Sequence, residues 1–117
     1  VWTLFIKRGT PSAQLAVTLR VPWAGQERLF KDVGSHPRPV LLIWGDGDTL
    51  NPIDIAQKVN RFFTNSYLLV IKDAKHIVHS DQAQCCYNAL LSFLKMPSDC
   101  DMKKVSIGQS SSLVLEP

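Results

Sequence analysis

The sequence predicts an α/β fold with a parallel sheet, and three observations carry that prediction. Two unbroken apolar runs, Val40–Trp44 ("VLLIW") and Tyr67–Ile71 ("YLLVI"), are short and rich in β-branched and aromatic residues. Runs of that kind read as strands covered on both faces, as in a parallel sheet, rather than strands with one wet face. Each run is followed by a loop of turn-forming and polar residues, "GDGDTLN" and "KDAKHIVHSD", and each loop leads into a segment of helical periodicity. Strand, loop, helix, strand, loop, helix is the βαβα order, whose two strands lie parallel.

Residues 1–9 ("VWTLFIKRG") read as a short strand or the end of a helix. Pro11 opens a helix that places Leu15, Ala16 and Leu19 on one face. A further short helix, "PWAGQERLFKDVG", stops at Gly34. His36, between Ser35 and Pro37, lies in a linker stiffened by prolines. After the first strand, Asn51-Pro52-Ile53-Asp54 reads as a helix start, with Asn51 as the cap and an acid near the positive end of the helix dipole. Ile55, Ala56, Val59, Phe62 and Phe63 follow at helical spacing, and "TNS" breaks the helix. After the second strand, Asp81 is placed to cap a helix whose stripe is Ala83, Cys86, Tyr87, Leu90, Leu91 and Leu94. Pro97 ends it. The polar, Ser-rich remainder, 98–117, is expected to be disordered. The organisation is therefore a helical region over 1–36, a core segment over 37–96 and a tail over 97–117.

Composition narrows the function classes. The hydrophobic share is 45%, the charged share 20% and the net charge +3 over 117 residues, as in an ordinary soluble domain. The basic residues are scattered, with no run and no interleaved aromatics, which argues against a nucleic-acid partner. No apolar stretch reaches the roughly 20 residues of a membrane helix. The three cysteines, Cys85, Cys86 and Cys100, include no C-x-x-C pair, and they read as reduced thiols of a cytoplasmic protein. No metal or cofactor is implied.

In parallel sheets, functional loops lie beyond the carboxyl ends of the strands. The two loops after the runs share one edge, so an acid from the first can meet a histidine from the second. An imidazole held by a carboxylate is a general base of fixed tautomer. The acids on offer are Asp46 and Asp48, and the bases are His76 and His79. The plain alternatives are turn residues for the acids, a place at the start of a helix for His79, and packing roles for Trp2, Trp23 and Trp44, of which Trp44 is near enough to the first loop to border a pocket.

In "PVLLIWGDGDTLNP", Gly45, Asp48 and Pro52 are spaced G-x-x-D-x-x-x-P. In "YLLVIKDAKHIVHSDQAQCCYNALLSFL", Ala74, His76, Asp81 and Phe93-Leu94 follow a strand and close a helix. Over residues 37 to 95 the chain resembles the C-terminal portion of the α/β-hydrolase fold. That resemblance implies Asp48 as the acid and His76 as the base of a catalytic triad, with His79 where many relatives carry a second, non-catalytic histidine. It implies hydrolysis of a small-molecule ester or lipid-like substrate, with epoxide hydrolases, haloalkane dehalogenases and C–C bond hydrolases as relatives that share this half-site. Residues 1–36 would then end a cap or lid. Two departures stand out. Lys75 occupies the position before the histidine where the family usually has glycine. No G-x-S-x-G nucleophile turn precedes Asp48, and Gly108-Gln109-Ser110 comes too late to serve. The chain is accordingly expected to contribute the acid and histidine of a hydrolase, the alternative being a non-catalytic remnant or interaction module.

Overall fold

The computed structural model describes residues 15, 16, 19, 25–105, 107 and 112–114. Residues 1–9, Pro11, Trp2, Trp23 and Gly108-Gln109-Ser110 lie outside them, and so does most of the region read as cap or lid. Leu15, Ala16 and Leu19 are helical, as their spacing predicts. Leu15 and Leu19 are exposed.

The ordered elements run α1 (Glu27–Gly34), β1 (Val40–Gly45), α2 (Ile53–Asn60), β2 (Ser66–Ile71), α3 (Val78–Asp81), α4 (Ala83–Leu94) and β3 (Ser112–Val114). β1 and β2 pair in parallel, with Leu42 opposite Leu68 and Gly45 opposite Ile71. Both strands therefore end at the same edge. β3 lies antiparallel on the other side of β2, with Ile71 opposite Ser112, giving the order β1-β2-β3.

The period of two along β2 divides the core into two layers. Tyr67, Leu69 and Ile71 point to one side and pack with Ala89 of α4, Met102 and Ile107. Leu68 and Val70 point to the other and pack with Ala56 of α2, along with Leu42, Trp44 and Ile53. This double cover is why the runs carry no polar alternation. β2 is buried from Tyr67 to Ile71, whereas β1 is only half-buried from Val40 to Trp44. Among the described residues nothing pairs with the outer edge of β1.

Several expectations need correction. α2 ends at Asn60, so Phe62 and Phe63 lie beyond it. Phe62 stacks instead on Phe30 of α1, ring centroids 6.3 Å apart. Helical spacing continued past the helix because both phenylalanines are partly covered by other contacts. Asn51 does not cap α2: Pro52 is the capping residue, and no side chain bonds there. Neither does Asp81 cap α4, since it belongs to the short α3. The buried face of α4 centres on Ala89, with Cys85, Cys86 and Phe93 packed beside it, while Tyr87, Leu90 and Leu94 are exposed.

The segment after Pro97 is not a disordered tail over its described part. Met102 and Ile107 are among the most buried residues of the protein. Asn65, at the entrance to β2, ties that segment down: its Nδ2 donates to the carbonyls of Pro37 (2.9 Å) and Cys100 (2.8 Å), and its Oδ1 accepts from Met102 N–H (2.7 Å). Tyr67 Oη donates to the Ile107 carbonyl (3.1 Å) and accepts from Ile107 N–H (3.2 Å). Isolated apolar residues in a polar, serine-rich stretch carry no periodicity, so composition hid these anchors.

Candidate functional site

The site is assembled by the two loops that leave β1 and β2 at the common edge. The first loop is closed on itself. Asp48 Oδ1 accepts the N–H groups of Leu50 and Asn51, both at 2.9 Å. Trp44 Nε1–H donates to the Asn51 carbonyl (2.7 Å), pinning the end of the loop back onto β1. A short acceptor side chain satisfying the backbone two and three residues on is what aspartate does well in turns. Trp44 itself packs with Leu42 and Val70 on the α2 side of the sheet.

The second loop turns at Asp73, whose φ of 58° lies in the left-handed region. Aspartate is among the few residues that enter it readily. The left-handed turn thus falls two residues before Lys75, and Lys75 needs no glycine-like backbone. Its N–H donates to Asp81 Oδ2 (2.8 Å). Asp81 therefore clamps the histidine loop rather than the following helix, a role its position in the sequence did not disclose.

The loops meet through backbone. Gly45 is packed so closely that a Cβ there would stand 2.3 Å from the Ala74 carbonyl oxygen and 2.5 Å from that of Lys75. Gly47 N–H donates to the Ala74 carbonyl (2.9 Å), and Asp46 N–H to that of Ile71 (3.0 Å). With the backbones fixed in this way, His76 Nδ1 lies 3.0 Å from Asp48 Oδ2.

The environments of the two partners differ. The Asp48 side chain is 5% exposed and that of His76 49%. The backbone N–H of Asn51, more than any other group, holds the Asp48 carboxyl below its ordinary range, and His76 and the Leu50 N–H add to that effect against the opposing cost of burial. With Asp48 ionised, Nδ1–H of a neutral His76 donates to it, and Nε2 is left as an acceptor.

Asp46 is exposed and takes no part in this pair. His79 is exposed on α3 and lies with His76 beside a groove on the α4 side of the sheet. His36 is remote: its Nδ1 accepts from Arg38 N–H (3.2 Å) in the linker. Among the described residues no group of three or more His, Cys, Asp or Glu is arranged to hold a metal ion, and no helix is long and apolar enough to cross a membrane.

A family model for the alpha/beta hydrolase fold matches residues 6–83. The chain belongs to the α/β-hydrolase fold family. The matched stretch contains both strands of the parallel pair, Asp48 and His76. It begins well upstream of Pro37, so residues short of the two motifs also carry family character. No curated protein and no solved structure matches the chain.

Proposed function

We propose that Asp48 and His76 are the acid and the base of a hydrolase that acts on an ester-like bond of a small or lipid-like molecule. The observation that carries this reading is the 3.0 Å contact between His76 Nδ1 and a buried carboxylate whose other oxygen is fully occupied by backbone. Oδ2 is the carboxylate oxygen that takes no bond from the loop backbone, and it serves to fix the imidazole. The imidazole presents Nε2 to take a proton from a nucleophile, then returns that proton to the leaving group. A base and its orienter lower no large barrier without a nucleophile and donors for the oxyanion. These 117 residues contain no G-x-S-x-G turn. In this reading the nucleophile is supplied by polypeptide outside them.

The test is to express the longest reading frame that contains this chain and to treat it with a fluorophosphonate that labels activated serines. Labelling that is lost in His76→Ala and kept in His79→Ala is the expected result. Asp48→Asn leaves an acceptor for the loop N–H groups but turns an amide toward Nδ1, so the wrong tautomer is favoured. By analogy with serine-protease triads, turnover should fall by roughly 10⁴-fold. Equal losses from His76→Ala and His79→Ala would show that the base is misassigned.

A second reading, a non-catalytic interaction module, is favoured by the same missing nucleophile turn. It predicts that the 117-residue chain hydrolyses p-nitrophenyl acetate no faster than free imidazole and that the longer frame does no better.

A further inference from the structure

Trp44 is the last side chain of β1 before Gly45 and the acid loop. Ile43 lines the groove beside His76 on the α4 side of the sheet. Trp44 faces the other way, into the cluster of Ala56, Leu68 and Val70. It does not line that groove. A half-buried indole needs an acceptor for its N–H, and that need alone would be met by any nearby carbonyl. The acceptor it takes is the carbonyl of Asn51, at 2.7 Å. The N–H of the same residue is one of the two donors to Asp48 Oδ1, at 2.9 Å. Asn51 is thus held on one side by the strand and on the other by the acid.

The rest of the loop gives that link its weight. The near end is tied to the second strand and its loop by backbone, Asp46 N–H to the Ile71 carbonyl and Gly47 N–H to that of Ala74. Thr49 and Leu50, in the far half, are exposed. Among the described residues, the hydrogen bonds that hold this half are those to the Asp48 carboxylate and the one from Trp44. The next anchor along the chain is Ile53, packed in the same cluster as Trp44. Without the indole, the donors to Oδ1 would be placed mainly by the oxygen they serve. The Asn51 N–H also does more than any other group to hold the Asp48 carboxyl low, ahead of His76, the charged group that acts on it.

We infer that Trp44 is a positioning residue for the acid: its indole N–H holds the Asn51 carbonyl, which keeps the Asn51 N–H on Asp48 Oδ1 and leaves Oδ2 to His76. The inference rests on the reading of Asp48 as the orienter of the base. Trp44 touches neither His76 nor a reacting atom in this arrangement. It acts through Asn51.

The experiment uses the 117-residue chain and needs no substrate. Trp44→Phe removes the N–H with part of the ring. The benzothienyl analogue of Trp44, with sulfur in place of the indole N–H, removes the donor and keeps the bicyclic shape, so it decides the matter if Trp44→Phe folds poorly. Leu42→Ala is the packing control, because Leu42 belongs to the same cluster and makes no bond to the loop. Three signals are followed by NMR: exchange of the Asn51 amide, the Asp48 carboxyl carbon against pH, and the His76 Nδ1–H. In both Trp44 variants, protection of the Asn51 amide should fall roughly tenfold, about the worth of one hydrogen bond. The Asp48 midpoint should move up toward the ordinary carboxylate range, and the Nδ1–H signal should broaden. Leu42→Ala should lower the melting temperature and leave all three unchanged. If the analogue keeps Asn51 protection and the Asp48 midpoint where they were, Trp44 is a packing residue and the inference fails. It fails equally if Leu42→Ala moves the three signals as far. The longer reading frame separates this claim from the hydrolase reading. An inactive protein whose signals respond as expected sinks the hydrolase reading alone, and an active one whose signals do not respond sinks only the role of Trp44.

Discussion

Replacing Gly45 with alanine should separate the acid loop from the histidine loop. The new Cβ would meet the Ala74 oxygen at 2.3 Å and the Lys75 oxygen at 2.5 Å, where ordinary contact begins at 3.4 Å. Both obstacles are main-chain carbonyls, so no rotamer relieves them, and the backbones must part by about 1 Å. That displacement stretches the 2.9 Å bond from Gly47 N–H to the Ala74 carbonyl beyond useful length. Overpacking of this kind costs about 1–3 kcal/mol and the lost bond about 1 kcal/mol, so Gly45→Ala should lose roughly 2–4 kcal/mol. That is a large share of a small domain's total stability. Gly47→Ala is the internal comparison. Its Cβ would stand 3.3 Å from the Ala74 oxygen, a distance a few tenths of an ångström can relieve. It should cost less than about 1 kcal/mol. Urea unfolding followed by tryptophan fluorescence measures both, and the hydrogen-bonded Nδ1–H signal of His76 reports whether the pair survives. Equal midpoints for the two variants, or a Gly45→Ala protein that keeps the Nδ1–H signal unshifted, would refute the view that this backbone contact sets the distance between acid and base.

Three further outcomes are expected. Asn65→Ala removes partners from the Pro37 and Cys100 carbonyls and the Met102 N–H, and should cost roughly 2–3 kcal/mol in thermal unfolding while exposing the segment after Pro97 to protease. Tyr67→Phe leaves both backbone groups of Ile107 without that hydroxyl and should cost about 1–3 kcal/mol, whereas Tyr87→Phe, at an exposed tyrosine, should be neutral in the same melt. Because the folded state holds Asp48 below its unfolded value near 3.8, the unfolded chain takes up that proton first. The carboxylate's contribution is therefore complete above that value and lost as pH falls through the lowered one. Asp48→Asn should flatten the acid limb of stability against pH in that window; among the described residues, the carboxyls of Glu27 and Asp101 are also held low and keep their share of it.

The parts of the fold legible in the sequence were those with a strong period or an unbroken run. β1, β2 and α4 fall where "VLLIW", "YLLVI" and the stripe after Gln82 place them, because burial on both faces leaves no room for polar residues. That an acid of the first loop would meet a histidine of the second was legible for a topological reason, since parallel strands deliver their following loops to one edge; the choice of Asp48 over Asp46 and of His76 over His79 came from the family resemblance. Asp81 and Asn65 were misread because a polar side chain's partner depends on loop path, which no local pattern encodes. Asp81 looked like a helix cap and is a loop clamp. Asn65 looked like a helix breaker and ties three segments together. Met102 and Ile107 stayed hidden because two apolar residues in a polar stretch form no period.

The place of Met102 and Ile107 also sets an order in time. A ribosome delivers Asp48 first, then His76, and only later the residues that cover the Tyr67, Leu69 and Ile71 side of β2. During that interval both loops exist, yet the strand that fixes their spacing lacks its floor on one side. Synthesis proceeds at about 5–20 residues per second, so the nascent chain spends a few seconds with the site written and its foundation still unlaid.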